Sequence, residues 1–154
     1  MKISNQKLLM EQADRKLQAF KSLESIVVPS KGWINTIRMA MKMSLRQLGQ
    51  RMGISIQSVK ETEEREANGS ITLKSLREAG LALNLKLVYG FVPLNGSIEK
   101  MIEKRANELA WEIISRTSQS MKLEDQENRE ERLKKAVDTK VKEIISKMPK
   151  YLWD

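Results

Sequence analysis

Residues 43–69 read MSLRQLGQRMGISIQSVKETEEREANG, and this stretch decides the fold. Leu45, Leu48 and Met52 recur at spacings of three and four, which puts them on one face of a short helix. Ser44 stands where an N-cap belongs. Gly53 predicts the stop, because glycine takes the left-handed backbone of a helix end without a Cβ clash. Ser55 restarts a second helix with Val59 on its buried side and Gln57, Ser58, Lys60 and Glu61 outward. Two short helices joined by a sharp turn form a helix-turn-helix, whose second helix is the right size for a DNA major groove.

Working outward, Trp33–Lys42 supplies a preceding helix through Trp33, Ile34, Ile37, Ala40 and Met41. After the loop Asn68-Gly69-Ser70, the run ITLKSLREAGLAL predicts another, with Ile71, Leu73, Leu76, Ala79 and Leu83 on its apolar stripe and Ser70 or Thr72 as cap. Four helices in this order can enclose one small core. Residues 4–25 predict an amphipathic helix with the stripe Leu9, Ala13, Leu17 and Phe20, followed by Ile26-Val27-Val28 and the stop at Pro29. Residues 85–92, LKLVYGFV, predict one strand. A lone strand cannot satisfy its own backbone, and Ile26–Val28 is a short partner. The expectation is pairing with a second protomer through Leu87, Val88, Tyr89, Gly90 and Phe91, with Gly90 allowing close approach.

Two more helices follow. Ile98, Met101, Ile102, Arg105, Ala106, Leu109, Ile113 and Thr117 mark the first, capped by Ser97. Met121–Gln126 interrupts, and Leu133, Val137, Val141, Ile144 and Met148 mark the second, ended by Pro149 and followed by Tyr151, Leu152 and Trp153. The expected architecture is mainly α: an N-terminal helical arm (1–32), a helix-turn-helix domain (33–84), a dimerising strand (85–93) and a C-terminal helical region (97–154).

The 154 residues carry a formal charge of +8, no cysteine and no histidine. That composition leaves out disulfides, thiolate or imidazole metal sites, and Cys or Ser-His nucleophilic catalysis. No carboxylate pair or phosphate-cradling glycine loop stands out, so neither a catalytic site nor a cofactor is expected and an enzyme is the disfavoured class. The charge is uneven: residues 1–96 hold 15 Lys and Arg against 8 Asp and Glu, and residues 97–154 hold 13 against 12. A positive field on the helix-turn-helix half favours a polyanion. The N-terminus is polar and no apolar run nears ~18 residues, which predicts a cytoplasmic protein without a membrane partner.

The pattern LxQLGQRMGIS, followed by Ser58-Val59 and Glu63, resembles the Xre (Cro/C1-type) helix-turn-helix family, with Gly49 where a small residue lets the helices cross. GWINTIR, NGSITLKSL, LVYGFVP and SMKLEDQ extend the likeness, over residues 5–126, to the mobile mystery protein A family. The resemblance implies a lambda-repressor-like domain and a DNA-binding repressor whose gene travels beside a Fic-domain partner in a toxin–antitoxin arrangement. The leading expectation is a homodimer on a palindromic double-stranded operator. By the same docking mode, Ile56, Gln57 and Glu61 would meet base edges, and Ser44, Arg46, Ser55, Ser58 and Lys60 would lie near phosphates. Gln57 suits adenine, Glu61 can accept from cytosine, and Ile56 can meet only a thymine methyl. Leu45 departs from the Gln usual there, which removes one polar contact.

The alternative reading is a protein-binding antitoxin that neutralises the Fic enzyme through residues 97–154. Fic-inhibiting helices resemble Ser/Thr-x-x-x-Glu-Gly/Asn. Thr62-x-x-x-Glu66-Ala67 and Ser120-x-x-x-Glu124-Asp125 match in part, and both lack the final Gly or Asn.

Overall fold

A computed structural model describes residues 2–118 and 126–154. The chain divides into two compact units, Ser25–Gly90 and Met1–Glu24 with Phe91–Asp154. Among the described residues no helix is long and apolar enough to cross a membrane.

The Ser25–Gly90 unit holds four helices: α2 (Trp33–Ala40), α3 (Leu45–Met52), α4 (Ile56–Asn68) and α5 (Leu73–Ala82). One residue or more from each element meets in a single core of Ile34, Leu48, Val59, Ala79 and Leu83. Ile37, Met43, Leu45, Met52, Ile71, Leu76 and Ala82 pack around it. The stripe expected for α2 is narrower than its spacing suggests. Trp33 and Met41 are exposed, and the buried positions are Ile34 and Arg38. On α5, Thr72 is the cap, its Oγ1 accepting from the Ser75 N–H at 3.1 Å. Leu73 lies off the buried face.

The other unit contains α1 (Lys2–Gln18), a 3-10 turn (Lys21–Leu23), α6 (Ile98–Ser118), α7 (Gln126–Lys147) and a last 3-10 turn (Lys150–Trp153). Its core is Ile102, Ala106, Leu109 and Ala110 of α6 against Val137 and Ile144 of α7, closed by Leu152. The apolar stripes marked out in the sequence therefore pack α6 against α7 and cover each other. Helix α1 joins this unit through Met10 rather than Leu9, which is exposed. Its Asp14 carboxylate accepts the Ile98 N–H at 2.7 Å and the Glu99 N–H at 3.2 Å, so α1 supplies the N-terminal cap of α6. Ser97 Oγ accepts a third α6 amide, that of Lys100, at 3.1 Å. At the far end Arg105 donates to the Leu152 and Asp154 carbonyls and fastens the last turn, whose Leu152 is fully buried.

The expected strand is corrected: among the described residues there is no strand, and residues 85–93 form no ladder. The backbone has other engagements. Asn84 takes a positive φ of 64°, which turns the Leu85 N–H back onto the Gly80 carbonyl at 2.8 Å to close α5. At the other end Gly96 N–H bonds Pro93 O in a turn. Ile26–Val28 likewise belongs to no ladder. The interruption at Met121–Gln126, the SMKLEDQ segment and the Ser120–Glu124 half-motif lie wholly or almost wholly outside the described residues.

Candidate nucleic-acid interface

The first helix of the motif starts with a reciprocal cap. Ser44 Oγ accepts the Gln47 N–H at 3.1 Å, and Gln47 Oε1 accepts the Ser44 N–H at 2.8 Å. Helix α3 ends at Gly53, whose φ of 69° lets the Ile54 N–H reach the Gly49 carbonyl at 2.9 Å. Gly49 faces the turn so closely that a Cβ there would stand 2.7 Å from the Ile54 carbonyl oxygen and 3.4 Å from Val59 Cγ2. The small residue expected from sequence is thus required by the approach of the turn that leads into α4. Ser55 then caps α4, accepting the Ser58 N–H at 3.1 Å while its own hydroxyl donates to Ser58 Oγ at 3.0 Å.

With those caps in place, the first turn of α4 stands open. Ile56 is half exposed, Gln57 and Lys60 are exposed, and Ser58 is half-buried beside Ser55. Arg46 projects from the first turn of α3, and Leu45, the departure from the Xre pattern, packs against the core. The hydroxyl of Ser44 is occupied as a cap acceptor and that of Ser55 as both acceptor and donor. Glu61 lies one turn along with both oxygens engaged: Gln57 Nε2 donates to one at 3.4 Å, and Arg65 Nη2 stands 3.6 Å from the other. Both contacts are long and lie on the exposed face of α4.

What fixes α4 is a pair only half visible in the sequence. Glu63 points inward as a helical residue on that face should, and the group it meets is Arg38 of α2. Both side chains are under 10% exposed. The guanidinium donates through Nε to Glu63 Oε1, through Nη2 to Oε2 at 3.2 Å, and through Nη1 to the Met43 carbonyl at 2.9 Å. Asn35 Nδ2 adds a bond to Glu63 Oε2 at 3.0 Å. One fork therefore ties α2, α4 and the segment leading into α3. A buried ion pair of this geometry is directional, so it sets the angle at which α4 is presented.

Glu66, near the end of α4, has a second positioning role. Its carboxylate accepts the Trp33 N–H at 3.0 Å and the Ile34 N–H at 2.8 Å, capping α2 in place of Gly32, which has no side chain to do so. Gly32 makes room for it: a Cβ there would lie 2.7 Å from Glu66 Oε1. Thr62 Oγ1 donates to the Ser58 carbonyl at 2.8 Å. The Thr62–Glu66 half-motif is thus engaged inside its own domain.

Charge agrees with geometry. The Ser25–Gly90 unit has ten Lys and Arg against five Asp and Glu, a net +5, and three of the five acids (Glu61, Glu63, Glu66) already hold donors. The residues expected to dimerise divide by burial: Leu87 is half-buried, whereas Val88, Tyr89, Gly90 and Phe91 are exposed.

No protein-family model, curated protein or solved structure matches this chain. Sequence reasoning missed Arg38 and Glu66. The signal for Arg38 was a long cation one turn after Ile34 on an otherwise apolar face, which calls for a buried acid; for Glu66 it was a helix opening on glycine with no Ser, Thr, Asp or Asn at its cap.

Proposed function

We propose that this protein is a sequence-specific DNA-binding transcriptional repressor. It acts as a homodimer on a palindromic operator, with its own promoter as the first candidate site, in an antitoxin-type operon beside a Fic-domain partner. The observation that carries the reading is the open first turn of α4. There Ile56, Gln57 and Lys60 project from a helix fixed by the Arg38–Glu63 pair, within a unit of net charge +5. Gln57 offers an amide to adenine, Ile56 a methyl surface to thymine, and Lys60 and Arg46 offer charge to phosphates. Glu61, one turn further on, offers a carboxylate to the amino group of cytosine.

Two copies with recognition helices about 34 Å apart would enter successive major grooves, and affinity would fall steeply with salt as counterions are released. The exposed side chains of Val88, Tyr89 and Phe91 are the proposed dimer contact.

The test is a mobility shift on the upstream DNA with Gln57→Ala. Loss of a bidentate contact should cost about 1–3 kcal/mol on the operator and little on unrelated duplex. A variant that binds every sequence as well as the parent refutes base reading by this helix.

A further inference from the structure

The four glutamates of α4 do not have the same fate. Glu63 is buried on Arg38, Glu66 holds the first amides of α2, and Glu61 lies between Gln57 and Arg65. Glu64 is exposed and, among the described residues, has no ion pair or side-chain hydrogen bond. It lies seven residues beyond Gln57, about 10 Å further along the axis and only about 20° round from it. The one uncompensated carboxylate of the helix therefore stands on the same face as the base-reading turn.

We propose that Glu64 is a specificity-determining residue that acts by repulsion, an inference that rests on the DNA-binding reading. In the specific pose we propose, the first turn of α4 leads into the groove and the later turns stand out along its wall. A helix held loosely against the backbone would bring Glu64 nearer to phosphates. The carboxylate thus weakens sequence-independent contact more than operator contact, and discrimination rises by penalising the wrong complex.

In water, like charges ~10 Å apart and screened over a similar length change an equilibrium by a factor of about 1.3. Four phosphates make that about threefold. Replacing the charge by a positive one doubles the change in free energy, to about eightfold, and adds a phosphate contact.

The test compares the full-length parent with Glu64→Gln and Glu64→Lys by fluorescence anisotropy at 50–200 mM salt. The probes are a random-sequence duplex and a duplex enriched by the parent from a random pool. On random duplex, Glu64→Gln should bind about threefold tighter and Glu64→Lys about eightfold, the latter with a salt slope steeper by about 0.9. Both should tighten less on the enriched duplex, so the ratio of affinities falls. Melting should not change, because the side chain is exposed and unpaired. Variants that match the parent on both probes, or tighten on both equally, overturn the assignment while leaving the DNA-binding reading intact. A parent that binds no duplex at 50 mM salt, or enriches no sequence, overturns that reading and the assignment with it.

Discussion

Replacing Arg38 by methionine removes three donors at once and leaves the Glu63 carboxylate buried beside Asn35 alone. A buried charge without its partner costs about 3–5 kcal/mol. At roughly 0.05–0.15 kcal/mol per residue, the Ser25–Gly90 unit holds about 3–10 kcal/mol in all, so Arg38→Met removes a large part of its stability. Trp33 is the one tryptophan of that unit, and with Trp111→Phe and Trp153→Phe its emission reports the unit alone. Urea unfolding at 25 °C should therefore show an early transition for Arg38→Met and for Glu63→Met. The double variant, with no buried charge left, should return to within about 1.5 kcal/mol of the parent. On the proposed DNA-binding function, affinity for the operator is the second readout. Each single variant should lose it, and the double should regain folding without the full affinity, because α4 then lacks its directional tie. A cost below about 1 kcal/mol for Arg38→Met would refute the claim that this pair holds the motif together.

Three further outcomes are expected. Gly49→Ala places a methyl 2.7 Å from the Ile54 carbonyl, so the turn must shift; urea titration should show a loss of about 1–3 kcal/mol, with DNA affinity falling as α4 moves. Leu152→Ala empties a fully buried site in the α6–α7 unit and should cost about 2–5 kcal/mol there, read from Trp111 and Trp153 emission, without moving the Trp33 transition. Glu143 is held below the ordinary carboxylate range, first by the hydrogen bond from Lys147 and then by that from Lys140. A lowered folded-state value means its contribution is present above the unfolded value and is lost as pH falls through the folded one. The acid side of the melting profile should therefore be flatter in Glu143→Gln, by a small amount because the pair is exposed.

Much of this was legible in the sequence because it is local. The caps at Ser44, Ser55 and Thr72, the left-handed stop at Gly53 and the small Gly49 follow from backbone geometry within a few residues. The apolar spacing of α6 and α7 was equally plain, since a helix shows its buried face every three or four positions. Segment 85–93 was misread for a related reason. Its β-branched and aromatic residues favour a strand, but a strand exists only where another backbone supplies a ladder, and here its first residue closes α5 instead.

Sequence alone therefore determined the mainly helical class, the short helices α3 and α4 with the turn between them, and the exposure of Ile56, Gln57 and Lys60. Tertiary structure decided which charges are spoken for. Arg38 meets Glu63 across 25 positions, Glu66 caps a helix that begins 33 positions earlier, and Asp14 caps one that begins 84 positions later. A carboxylate looks the same in sequence whether it faces solvent, an amide or a guanidinium. Packing of distant helices engages Glu63 and Glu66, contacts within α4 engage Glu61, and Glu64 is left without an ion pair or side-chain hydrogen bond among the described residues.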